Sequence, residues 1–196
     1  MTIKIAHDFN CPWCWIGWHQ TRDLKAEFGV MFEWVAAELY PDDLEWNDYP
    51  AEPASNPDKP PVPTRFELAM AAQRLPKLPA HRPQKMRTHN CHEAVEFAKT
   101  QGDPEPFIGR LYEAHWRDSM NINDPDVIVS LAPELNEDEL RAAMAERRFE
   151  SQIIKFDDDA YAAGIYNVPT FWIGNRRFAE QPLTVLQLAV ARALPK

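Results

Sequence analysis

The sequence predicts an α/β fold built in two separated halves, β-α-β at the start of the chain and α-β-β-α at its end. A large helical block lies between them. Three observations carry this prediction. Strand-like runs at residues 2–9 and 31–39 flank a stretch with helical spacing. A second strand pair is marked by Gly174-Asn175, a two-residue hairpin signal, close to the C-terminus. From about Thr64 to Gly164 the apolar residues recur almost entirely at helical spacing.

In the first half, Cys14, Trp18, Leu24 and Phe28 fall at spacings compatible with one helical face, and Gly29 ends the helix. The expected connection from the first strand to the second is a right-handed parallel crossover. Between Pro41 and Pro63 there are seven prolines, which lack amide donors and fix φ, so this segment is neither helix nor central strand. Residues 41–63 are therefore read as a proline-rich connection, 64–149 as an inserted helical domain, and 1–40 with 150–196 as one α/β domain. Within the block, Phe66, Ala69, Met70 and Gln73 form a short stripe. Cys91, Ala94, Val95 and Ala98 form another, and Phe107, Leu111, Ala114 and His115 a third. Asn136 followed by Glu139 resembles a capping box. Ile153, Phe156, Ala160 and Ala163 read as a last helical stripe before Gly164. Arg176–Ala179 is expected to pair antiparallel with Thr170–Ile173, and Pro182 suits the first turn of a final helix.

Composition narrows the function. The chain has 196 residues, 45% of them apolar, and seven Trp, enough for a substantial core. Its net charge of -9, without a basic stripe, argues against nucleic-acid binding. No run of about 18 apolar residues is present to span a membrane. The first strand begins almost at Met1, with no room for a secretory leader, so the expectation is a cytoplasmic protein. Three cysteines in such a protein suit redox or catalytic use better than a disulfide framework.

Cys11-Pro12-Trp13-Cys14 stands where the first strand turns into the first helix. Two sulfurs at this spacing can open and close a disulfide with little backbone movement. A free thiol has a pKa of about 8.5, and a helix N-terminus lowers it by several units. Cys11 at that terminus, with Pro12 at the first helical position, is the expected nucleophile. Cys14, one turn inside, is the expected resolving thiol. Trp13 should be partly exposed beside the sulfur, and His7 or Asp8 stand close enough to tune it. A zinc half-site is the competing reading, but structural zinc takes four ligands. Cys91 with His89 or His92 would have to supply the rest, and Cys91 sits on an apolar stripe. No metal is expected. Cys91 is read as a buried apolar residue, the histidines 89, 92 and 115 as core or helix-surface residues, and Asp157-Asp158-Asp159 as a solvated face.

The run from His7-Asp8-Phe9 through Cys11-Pro-Trp-Cys14-Trp-Ile-Gly17 resembles the active-site start of the DsbA-like branch of the thioredoxin superfamily. It is most similar to the FrnE-type oxidoreductases, relatives of 2-hydroxychromene-2-carboxylate isomerases and kappa-class glutathione transferases. Gly164-Ile-Tyr-Asn-Val168-Pro169-Thr170-Phe-Trp-Ile resembles a second stretch of that family, and Thr88–Gly102 a helix of its inserted domain. The resemblance implies a thioredoxin fold, a cis Pro169 beside the Cys11 sulfur, and Val168 offering backbone groups to an extended partner. It also implies thiol–disulfide oxidoreductase activity on protein or small-molecule thiols and disulfides, with no bound cofactor, glutathione as a conceivable co-substrate, and a monomer or homodimer. The isomerase and transferase relatives carry serine at the first position of the tetrapeptide; two cysteines here favour redox exchange. The alternative is a glutathione-dependent isomerase or transferase acting on a small aromatic substrate. The proline-rich segment is longer than usual for the family.

Overall fold

A computed structural model describes residues 1–45, 62–78 and 86–195. Most of the proline-rich connection, residues 46–61, lies outside the described residues.

The first half runs β1 (Thr2–His7), α1 (Pro12–Phe28) and β2 (Met31–Glu38). Gly29 closes α1 in the left-handed region, φ 65°, and its amide donates to the Lys25 carbonyl. The helices α2 (Arg65–Ala72), α3 (His89–Gln101), α4 (Glu105–Trp116), α5 (Pro125–Ser130) and α6 (Glu137–Glu146) follow. Then come β3 (Ile154–Lys155), α7 (Asp158–Ala162), β4 (Thr170–Ile173), β5 (Arg176–Ala179) and α8 (Leu183–Ala193).

The strands form one sheet in the order β3-β2-β1-β4-β5. β1 lies parallel to β2, with Ile5 opposite Trp34, and antiparallel to β4, with Ile5 opposite Phe171. β4 and β5 close the expected hairpin, pairing Ile173 with Arg176. β1 is a central strand whose Ile3, Ile5 and Ala6 are inaccessible to solvent, while Thr2 and Lys4 near its start are exposed. The same connected core takes in Leu24 of α1 and Phe107, Leu111 and Tyr112 of α4.

Three local expectations need correction. The stripe from Ile153 to Ala163 is not a single helix. Ile154–Lys155 pairs in parallel with Ala37–Glu38, the Phe156 amide donates to the Glu38 carbonyl at 2.9 Å, and Asp157 then caps the short α7. Edge pairing at β-branched residues outweighs helical spacing there. Pro182 is the N-cap of α8 rather than its first residue, with extended ψ of 148°. Asn136 accepts from the Glu139 amide at 3.0 Å, while the reciprocal box forms instead at Thr64 and Glu67, at the start of α2.

Candidate active site

The end of β1 delivers His7 and Asp8 into the interior, and the chain turns into α1 at Cys11. The Cys11 amide donates to the Asp8 carbonyl at 3.2 Å. Its φ/ψ of −84°/116° are extended, and Pro12 occupies the first helical position. No side chain caps this helix. Cys11 therefore stands at the positive end of the α1 dipole, and its carbonyl accepts from the Cys14 amide at 3.0 Å and the Trp15 amide at 3.2 Å. Cys14 lies one turn inside at 1% exposure against 6% for Cys11, and both are free thiols. Burial, followed by hydrogen bonding and charge from Cys11, holds the Cys14 thiol well above its usual range.

Val168 and Pro169 come from the turn leading into β4, on the other side of β1. Their peptide bond is cis. The Cys11 thiol donates to the Val168 carbonyl at 3.1 Å. Gly17, one turn beyond Cys14, makes this approach possible. A Cβ at Gly17 would lie 3.0 Å from the Pro169 ring and 3.7 Å from Phe171. The glycine was visible in the Cys-Pro-Trp-Cys-Trp-Ile-Gly run, but what it faces was not.

Beneath the sulfurs is a buried polar layer. Asp8 is inaccessible to solvent, and its carboxylate accepts from the amides of Asn10 at 2.8 Å and Leu39 at 2.6 Å and from the Thr88 hydroxyl at 3.0 Å. Burial nevertheless raises its pKa from 3.8 to about 6, against the pull of those bonds. His7 Nδ1 lies 2.9 Å from the Tyr112 hydroxyl. Burial, then the His92 charge, lowers the His7 pKa well below 6.5, so the ring is neutral. Burial likewise pushes His92 down to about 3. Of the two residues expected to tune the site, Asp8 is the better placed: its carbonyl accepts from the Cys11 amide, and its backbone hydrogen bonding lowers the Cys14 pKa while its charge raises it.

Trp13 is half-buried at the surface of the site. Its ring meets Phe66 of α2 edge-on at 5.6 Å, and the Arg65 guanidinium stacks 4.5 Å from its centroid. Arg65 also binds Glu180 twice, to the side chain at 2.8 Å and to the carbonyl at 3.0 Å. Glu180 sits in the left-handed region, φ 49°, a conformation costing roughly 1–3 kcal/mol for such a residue. Its amide donates to the Pro169 carbonyl at 3.4 Å, and its carboxylate accepts from Asn167 at 3.1 Å. A groove of about 400 Å³ opens beside Trp13 and Pro169, between Leu68 of α2 and Leu183 of α8. Sequence reasoning missed Arg65 and Glu180. The only local signal was the Thr64–Glu67 box that starts α2.

The other titratable residues stay out of the site. Cys91 is buried and donates to the Ile122 carbonyl. His89 is buried between Glu38, at 3.1 Å, and Glu93, at 3.4 Å. Burial lowers its pKa, but the bond to Glu38 and the charge of Glu38 outweigh that and raise it. Asp157 accepts from the Asp159 amide at 2.9 Å. Among the described residues, no cluster of three His, Cys, Asp or Glu could hold a metal ion. None of the described helices is long and apolar enough to cross a membrane.

A dithiol at the start of α1, faced by a cis-proline across the central strand of this sheet, defines a thioredoxin-fold protein. The chain belongs to the DSBA-like thioredoxin domain family, which matches residues 2–191. A curated relative, the uncharacterized protein YwbO of Bacillus subtilis (strain 168), is 26% identical over 182 residues, covering 88% of this chain and 86% of YwbO. Three solved structures share the fold. The probable DsbA oxidoreductase SCO1869 of Streptomyces coelicolor is 22% identical with a TM-score of 0.67, covering 98% of this chain and 89% of that one. A 2-hydroxychromene-2-carboxylate isomerase is 12% identical with a TM-score of 0.67, covering 98% and 95%. The cytosolic disulfide reductase DsbM of Pseudomonas aeruginosa is 16% identical with a TM-score of 0.64, covering 98% and 100%, and has also been solved with glutathione.

Proposed function

We propose that the protein exchanges thiols and disulfides, acting as a disulfide reductase or isomerase. The observation that carries this is the placement of Cys11. Cys11 is the N-cap residue of α1, whose start no side chain caps, and its thiol touches the Val168 carbonyl beside Pro169, with a second thiol buried one turn further along. In the reductive direction the Cys11 thiolate attacks one sulfur of a substrate disulfide. The S–S bond breaks, one substrate thiolate leaves, and a mixed disulfide remains on Cys11. Cys14 then gives up its proton to the departing thiolate and attacks the Cys11 sulfur, which releases the second substrate thiol. Two electrons have passed from the dithiol to the substrate, and an external thiol restores the Cys11–Cys14 pair. Pro12 and Trp13 set the poise of the pair, which ranges in this superfamily from about -270 to about -120 mV. Val168 and Pro169 form the wall against which the substrate lies.

The high pKa of the Cys14 thiol supports this division of labour, because Cys14 stays protonated until Cys11 has reacted. The DsbM structure with glutathione supports glutathione as a thiol partner, and that protein's cytosolic setting supports a cytoplasmic one here. Insulin reduction with dithiothreitol as electron source tests the reading. Wild type should accelerate it and Cys11→Ser should not; equal rates refute the reading. Cys14→Ala should accumulate mixed disulfides. Turnover of an aromatic substrate with glutathione that survives Cys14→Ala would favour the isomerase instead.

A further inference from the structure

We propose that Arg65 makes this dithiol site selective for disulfides that carry a carboxylate. The inference rests on the exchange reading above and names the substrate class for the same site. Among the described residues that line the groove beside Trp13 and Pro169, Arg65 is the only cation and Glu180 the only anion. The rest of the lining is apolar or neutral. A ligand lying there meets one positive charge, stacked on the ring that stands between the two cysteines and paired with Glu180.

Arg65 is available for a second carboxylate. Its side chain is 66% exposed, and an ion pair of this kind is worth only about 0–1 kcal/mol. Its bonds to Glu180 use two of the five guanidinium N–H groups. The remaining donors keep the planar fork that binds carboxylates through paired bonds. Glu180 is held independently, by Asn167 through its side chain and by Pro169 through its backbone, so it stays in place if Arg65 turns toward a ligand. Glu180 thus acts as an internal stand-in for the substrate carboxylate. The field of the whole protein works against such a preference, because a net charge of -9 repels anions. Any selectivity for them must therefore arise locally, and among the described residues lining the groove Arg65 is the one that can supply it.

The reaction needs no added reductant in a single turnover. The reduced protein supplies both electrons, its dithiol becomes the Cys11–Cys14 disulfide, and one probe disulfide becomes two thiols. Pre-reduced protein is mixed with dithiodipropionate, hydroxyethyl disulfide or cystamine, which are anionic, neutral and cationic. Each rate is divided by that of the same probe with dithiothreitol, which removes intrinsic reactivity. Wild type should favour the anionic probe over the neutral one. Arg65→Ala should cut that ratio about tenfold, as expected for loss of a hydrogen bond to a charged group. Arg65→Glu should shift the preference to cystamine; an acid in the first turn of α2 suits the helix dipole, so this variant keeps the helix. A wild type without an anionic preference, or a ratio that neither substitution moves, overturns the proposal. If wild type consumes no probe, or Cys11→Ser consumes them equally, the exchange reading itself fails and the proposal with it.

Discussion

Replacing Asp8 with asparagine would separate the cost of burying a carboxylate under the dithiol from the rest of the fold. Asp8 ordinarily titrates at 3.8 and is raised to about 6 by burial, despite three hydrogen bonds to its oxygens. That is a shift of about two units, and at about 1.4 kcal/mol per unit it corresponds to ~3 kcal/mol. Its sign follows from proton counting. Between the two values the unfolded chain has released this proton while the folded protein still holds it, so stability falls as pH rises. The Asp8 contribution is fully present below 3.8 and lost above about 6. His7 and His92, both lowered by burial, change stability in the opposite direction as they titrate. They are common to both proteins and cancel in the comparison. Asparagine mimics the neutral acid in shape and does not titrate. Urea unfolding of wild type and Asp8→Asn from about pH 3 to about pH 7 should show the wild-type advantage shrinking by ~3 kcal/mol. A difference that stays constant across this window refutes the argument, because Asp8 would then titrate alike in folded and unfolded chains.

Gly17→Ala sets two effects against each other. A helical alanine gains about 1 kcal/mol over glycine, while overpacking against the Pro169 ring costs roughly 1–3 kcal/mol. The expected result is equal or lower stability with an altered rate of Cys11 alkylation; a stabilised variant with an unchanged rate would show that the ring yields freely. Tyr112→Phe removes the hydroxyl facing His7, and an unsatisfied buried ring nitrogen should cost about 1–3 kcal/mol in urea unfolding. An unchanged midpoint would show that His7 does not depend on Tyr112.

Much of this site could be read from the chain because its signals are local. Cys11 and Pro12 mark a helix start by residue type alone, and Gly174-Asn175 marks the hairpin that carries Val168 and Pro169 to the centre of the sheet. The family resemblance joined the two motifs before the structure placed them 3.1 Å apart. What escaped reading depends on partners distant in sequence. Ile154–Lys155 becomes a strand because the end of β2 offers a free edge, which no pattern within residues 153–163 reports. Arg65 and Glu180 meet across 115 positions, and each reads locally as an ordinary surface charge. Asp8 reads as a polar residue at a strand end; only packing against Thr88 and the Leu39 amide makes it a buried acid.

The contact from Cys11 to Val168 spans 157 positions, and it exists only because β4 lies alongside β1. The cysteines are therefore synthesised well before the wall that completes their site. Until β4 docks, Cys11 and Cys14 are an ordinary pair of thiols on an unfinished chain. The complete site exists only once Val168, Pro169 and β4 are in place, so a fragment that keeps the tetrapeptide but ends before residue 168 retains the sulfurs without the site.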